Sequence, residues 1–242
     1  MIKVWAHRGA SGYAPENTLP SLKKAVEMRA DGVELDIQLT KDGEIVVTHD
    51  EKIDRVADHK GWVKDYTLSE LKKMDFAVTN KNFEFVTIPT LKEVYELLKP
   101  TGLTVNVEIK TGIVFYKDIE KKAIELTESM GMRDRVIYSS FNHYTLQKIK
   151  AIDPIIKTGM LYADGIIDAP KYGKKTVGVD AMHPALYNIQ YPGYFEECKK
   201  LGLDINVWTV NEEEYMQMLC KMGADAMITN YPDVARRIVD QA

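Results

Sequence analysis

The sequence predicts an α/β fold, a TIM (β/α)8 barrel with an insertion after its second strand. Eight short β-branched or apolar runs recur, at residues 3–6, 32–37, 103–109, 135–138, 155–160, 177–182, 204–207 and 226–228. Helical patterns lie between them, which argues for repeated strand–helix units and a mainly parallel sheet. The chain has 242 residues, enough for eight such units to close as one domain over 1–242, since barrels of this kind take about 250.

The first run, VWA, ends on His7 and Arg8. The second and third begin at Gly32 and Leu103, 71 residues apart, whereas the other starts are 20 to 32 apart. The excess falls at 51–89 and contains Trp62, Tyr66, Phe76, Phe83 and Phe85. That composition predicts an ordered insertion, either a wall beside the substrate or an excursion with its own small core. Thr67 with Glu70, and Thr90 with Glu93, have capping-box spacing. Asn211 precedes three glutamates, as an N-cap followed by acids in the first turn would. Gly131, Gly202 and Gly223 follow helical segments as left-handed terminators.

Composition narrows the function classes. Hydrophobic residues make up 45% and charged residues 28%, which excludes a disordered chain. The 32 basic residues against 36 acidic ones give a net charge of −4, so no general attraction to nucleic acid is expected. Cys198 and Cys220 have no metal-ligand spacing and read as small apolar residues in a reducing compartment. MIKVWAHRGASG lacks the apolar stretch of a signal peptide, and there is no run of about 20 apolar residues to span a membrane. The expectation is a cytoplasmic protein. The aromatic-rich surface is compatible with a homodimer, although neither a charge seam nor a heptad marks one.

In a barrel the chemistry belongs at the C-terminal ends of the strands. Glu34 and Asp36 in VELD, and Glu108 and Lys110 in VEIK, lie two apart, so each pair faces one side of its strand. Their flanks are valine and isoleucine, and carboxylates buried there need cations. Glu34, Asp36 and Glu108 therefore read as hard oxygen ligands for Mg²⁺ or Ca²⁺, the alternative being a structural network with Arg8 and Lys110. His7 and His49 end apolar runs beside that cluster and suit acid and base work. Arg8 and Lys110 suit an anionic oxygen, particularly a phosphoryl one. His59 and His143 read as surface residues; His183 is left between the pocket and the core.

HRGASGYAPENT at 7–18, VELDIQLTKDGEIVVTHD at 33–50 and VEIK at 107–110 closely resemble the glycerophosphodiester phosphodiesterase family. SSF at 139–141, VWTVN at 207–211 and GADAMITNYP at 223–232 are similar to its later strand-end motifs. The resemblance implies a TIM barrel with a family-type insertion, and metal-dependent hydrolysis of glycerophosphodiesters to sn-glycerol 3-phosphate and an alcohol. It implies His7 and His49 as the acid–base pair, Glu34, Asp36 and Glu108 as metal ligands, and Arg8 and Lys110 as phosphate contacts. Glu16 and Asn17 match the family's ENT segment, either as supports of the first loop or as direct contacts. The chain departs from the family after His49, where KIDRVADHKGWVKDYT replaces an Arg-Thr-Thr-like, glycine-containing stretch. The favoured roles are His7 as base and His49 as acid. The expected route is attack on phosphorus by the substrate's neighbouring glycerol hydroxyl, giving a cyclic phosphate that water opens, with direct water attack as the competitor. Two alternatives differ in substrate or class. One is a lysophospholipase D type enzyme whose insertion aromatics receive an acyl chain; the other is a non-catalytic phosphodiester-binding barrel.

Overall fold

The computed structural model describes all 242 residues. Its strands in chain order are β1 (Lys3–His7), β2 (Gly32–Leu39), β3 (Ile45–Val47), β4 (Thr104–Ile109), β5 (Val136–Ser140), β6 (Thr158–Tyr162), β7 (Ala181–Pro184), β8 (Asp204–Val207) and β9 (Ala226–Thr229). β1 pairs in parallel with both β2 and β9, with Trp5 beside Gly32 and Lys3 beside Ala226. The remaining parallel ladders run from β2 through β4, β5, β6, β7 and β8 to β9. Eight parallel strands thus close on themselves, as the TIM barrel prediction requires. β3 stands apart, antiparallel to the end of β2, with Val47 opposite Ile37.

Side-chain alternation divides the barrel into an outer apolar shell and a polar inner column. Ala6, Val33, Leu35, Ile37, Val105 and Val107 pack outward against helix residues including Leu22, Ala25, Leu91, Val94 and Leu98. The inward positions include Trp5, which packs with Ala226 and Ile228. Asn106, Ser139, His183 and Asn206 are also buried. His183 Nε2 lies 2.9 Å from the Asn206 amide nitrogen, and its ring fills the space above Gly159 where a Cβ would collide. That places His183 in the core.

Helix boundaries follow the capping chemistry at most predicted points. Thr90 and Glu93 form a reciprocal capping box for Leu91–Leu98, and Thr67 with Glu70 does the same for Leu68–Leu71. Gly131, Gly202 and Gly223 all have positive φ, the conformation that ends a helix at little steric cost. Asn211 is a correction: Glu212 occupies the N-cap of Glu213–Met222, and the Asn211 side chain instead accepts the Asn230 N–H at 3.0 Å. His143 is another. It lies partly buried at the start of His143–Ile152, with Nε2 2.9 Å from the Leu161 carbonyl and Nδ1 3.2 Å from the Tyr172 hydroxyl.

Residues 51–89 consist of short helical turns at Ile53–Arg55, Val63–Asp65 and Leu68–Leu71 joined by loops. Ile53, Val56, Val63, Leu71, Phe76 and Ile88 build a small core under them, which also takes Val46 from β3. Tyr66 donates its hydroxyl to the Lys60 carbonyl, and Trp62 has the ammonium groups of Lys52 and Lys64 within 5.1 and 5.8 Å of its ring centre. Much of the aromatic surface is therefore engaged inside the segment, while Phe85 remains exposed.

Candidate active site

Strand register assembles the site. His7 neighbours Glu34 across the β1–β2 ladder, and Asp36 neighbours Glu108 across β2–β4. Because parallel neighbours face the same side, the inner-face positions of β2 and β4 bring the three carboxylates together at the C-terminal mouth, with His7 of β1 beside them. Their oxygens lie within 4.8 Å of one another, and all three residues are buried.

The first loop closes over this cluster. Arg8 adopts a left-handed backbone conformation, φ 55°, and its N–H donates to Glu34 Oε2 at 3.0 Å. Its guanidinium donates to Glu16 at 2.8 Å and lies 3.6 Å from Asp36. Asn17, also left-handed, donates its amide to Asp36 Oδ2 at 2.9 Å. On the opposite side Lys110 Nζ is 3.0 Å from Glu108 Oε1 and 3.2 Å from His49 Nε2. Arg8 and Lys110 thus converge on the carboxylates from two sides. Both have raised pKa values, the attraction of those carboxylates outweighing burial.

The three acids do not carry equal charge. Burial opposes ionisation of Asp36, but Arg8, His49, Lys110 and the Asn17 amide bring its pKa down to about 2. Burial and then the charges of Asp36 and Glu108 push Glu34 well up. Glu108 is also raised, by burial foremost and by Asp36, with Lys110 pulling the other way. The neighbouring cations therefore outweigh burial at Asp36 but not at Glu34 or Glu108. Asp36 Oδ1 is buried without a hydrogen-bond partner. Close hard oxygens and a buried carboxylate oxygen without a hydrogen-bond donor fit a divalent cation such as Mg²⁺ or Ca²⁺.

The two histidines are held by different partners. His7 Nδ1 is 2.7 Å from Asn230 Oδ1, which also accepts from the Ser11 hydroxyl at 3.0 Å. A carbonyl oxygen there requires hydrogen on Nδ1, leaving Nε2 with its lone pair 3.9 Å from Glu34. Burial and then Arg8 lower the His7 pKa to about 4, so it is neutral near pH 7. His49 Nδ1 is 2.6 Å from Asp50 Oδ1, an arrangement that orients the ring.

All seven residues expected at the site are brought to one end of the barrel. Glu16 and Asn17 also belong to it, joining Arg8 and Asp36 respectively. Sequence reasoning did not assign Asn230, Asp50, Arg55 or the aromatic pair Phe141 and Trp208. Asp50 directly follows His49 and Asn230 directly follows β9, so adjacency was available as a signal for those two. Phe141 and Trp208 meet edge-to-face with ring centres 5.4 Å apart, and Lys110 Nζ lies 5.9 Å from the Phe141 ring centre. These rings stand beside the cationic side of the site.

Comparison with known proteins agrees with this geometry. The model of the glycerophosphoryl diester phosphodiesterase family matches residues 7–234. A glycerophosphodiester phosphodiesterase of Caldanaerobacter subterraneus subsp. tengcongensis is 44% identical over 237 residues, covering 98% of this chain and 97% of that protein. One from Bacillus altitudinis is 39% identical, covering 100% and 99%. Among solved structures, an Oleispira antarctica phosphodiesterase in complex with the product sn-glycerol-3-phosphate superposes with a TM-score of 0.89 at 29% identity, covering 98% and 96%. A glycerophosphodiester phosphodiesterase from Agrobacterium tumefaciens gives 0.87 at 26%, covering 98% and 100%. With the motifs, the barrel and the matched length in agreement, the chain belongs to the glycerophosphoryl diester phosphodiesterase family and is an enzyme of that class.

Proposed function

We propose that this chain hydrolyses glycerophosphodiesters to sn-glycerol 3-phosphate and an alcohol in a metal-dependent reaction, with His7 as base and His49 as acid. The observation that carries the proposal is the meeting of two histidines, two cations and three carboxylates at one mouth of the barrel. Glu34, Asp36 and Glu108 would hold Mg²⁺ or Ca²⁺, which when bound neutralises phosphoryl charge and orients its oxygens. Arg8 and Lys110 bind the remaining anionic oxygen. His7 accepts a proton at Nε2 from the attacking hydroxyl, and His49 delivers one from Nε2 to the departing alcohol. The attacking group is the neighbouring glycerol hydroxyl, already tethered to the phosphorus, so the first product is a cyclic phosphate. Ring opening by water reverses the two histidine roles.

The engaged surfaces of Trp62, Tyr66 and Phe76 favour a compact alcohol over an acyl chain at the insertion. No helix is long and apolar enough to cross a membrane, and both cysteines are free; a cytoplasmic site of action and a homodimer complete the proposal.

Three measurements test it. Metal binding by calorimetry should weaken more than about tenfold in Asp36→Asn, since disturbing even outer-shell partners costs that much. Wild-type affinity would remove Asp36 from the ligand set. His7→Ala and His49→Ala should keep the wild-type circular dichroism spectrum while turnover falls about 10²- to 10⁴-fold. Near wild-type turnover in either would remove that histidine from the pair. A diester lacking the neighbouring hydroxyl should bind but turn over far more slowly; cleavage at the normal rate would favour direct water attack.

A further inference from the structure

Arg55 belongs to the insertion, yet its guanidinium reaches the catalytic mouth. Nε donates to Asp50 Oδ2 at 2.7 Å, and the two terminal nitrogens donate to Glu16 Oε2 and Oε1 at 2.7 and 2.8 Å. Each carboxylate also has a second partner. Asp50 Oδ1 lies 2.6 Å from His49 Nδ1, and Glu16 Oε1 accepts from Arg8 at 2.8 Å. One unbroken chain therefore runs from His49 through Asp50, Arg55 and Glu16 to Arg8.

We infer that Arg55 is a positioning residue, through which the insertion holds the acid His49 in its working geometry by way of Asp50, with Glu16 bracing the guanidinium from the other side. Two carboxylates already balance its charge, and Nε and both terminal nitrogens are directed at them, so its contacts run to side chains of the site. Its backbone is anchored. The preceding turn buries Ile53 in the insertion core, the Ile53 N–H donates to the Gly61 carbonyl at 2.9 Å, and Asp54 accepts the Gly61 N–H at 2.8 Å. Asp50 and Glu16 are both held below the usual carboxylate range, with Arg55 the first favourable partner of each against burial. Without Arg55, Asp50 loses the partner that aims it at Nδ1. Lysine would keep a charge but cannot make the bridge with the same fork.

The inference rests on the role proposed for His49, and the test separates the two. Metal-loaded wild type, Arg55→Ala, Arg55→Lys, His49→Ala and the double variant His49→Ala/Arg55→Ala are compared on two diesters. Glycerophosphoethanolamine releases an alkoxide that needs a proton; glycerophospho-4-nitrophenol releases a phenolate that hardly does. Arg55→Ala should lower kcat on the first ester about 10- to 100-fold, the scale of a displaced catalytic group. On the second ester the loss should be much smaller. Arg55→Lys should fall between, and the double variant should be no slower than His49→Ala. If Arg55→Ala does not fold, Arg55→Lys carries the ester comparison and His49→Ala/Arg55→Lys the coupling. Equal losses on both esters, while His49→Ala distinguishes them, would overturn the inference; so would losses that multiply in the double variant. Should His49→Ala itself not distinguish the esters, the acid assignment fails, and the double variant decides for Arg55 alone.

Discussion

His183 shows how a histidine near a strand end can be committed to the core. Its ring is fully buried, Nε2 takes the Asn206 amide hydrogen, and burial lowers its pKa from 6.5 to about 3. The unfolded chain therefore accepts a proton before the folded one does. The stability linked to neutral His183 is complete above pH 6.5 and drains away as pH falls toward 3. At about 1.4 kcal/mol per pKa unit, the loss is on the order of several kcal/mol. His183→Gln keeps an acceptor for Asn206 but cannot titrate, so urea unfolding at stepped pH should show a flatter decline below pH 6.5. An unchanged slope would contradict the assignment. At this scale the site was legible where strand period sufficed: Glu34 and Asp36 share a face because they are two apart. His7 and Asn230, 2.7 Å apart in space, are separated by 223 positions in sequence. Nothing local to either residue reveals that contact; it exists only because β1 pairs with β9.

At the scale of elements, local capping chemistry was easier to read than the starts of strands. Thr90→Ala should destabilise the protein by about 1 kcal/mol, since it removes the hydroxyl that accepts the Glu93 N–H. Thermal unfolding checks this, and an unchanged midpoint would remove the cap's importance. Apolar content misled two strand starts. Ile155 lies in a turn whose N–H bonds back to Asp153, and β6 begins only at Thr158. Val177 ends a helical turn and Gly178 follows with φ 85°, so β7 begins at Ala181. An aspartate side chain holding the turn in the first case, and a left-handed glycine ending the helical turn in the second, outweighed hydrophobicity. Asn211 had N-cap composition, but its side chain binds the Asn230 backbone and so braces the residue that holds His7.

Across the whole molecule, repetition of strand and helix made the barrel readable, and the 71-residue interval revealed where extra chain had been added. The contents of that interval were not readable to the same degree. Its small core uses Val46 from β3, and its Arg55 reaches Glu16, 39 positions away. These are tertiary facts that composition does not encode. They join the insertion to the mouth of the barrel through Asp50 and Glu16. The central claim is a metal-dependent glycerophosphodiester hydrolase, and its most direct test is product release by protein stripped of metal and then reloaded with Mg²⁺ or Ca²⁺. Glycerophosphocholine should yield sn-glycerol 3-phosphate and choline in equal amounts only after reloading, and faster than lysophosphatidylcholine is cleaved. Full turnover by stripped protein, with metal absence established by elemental analysis, or no glycerol phosphate with either ion, would contradict it.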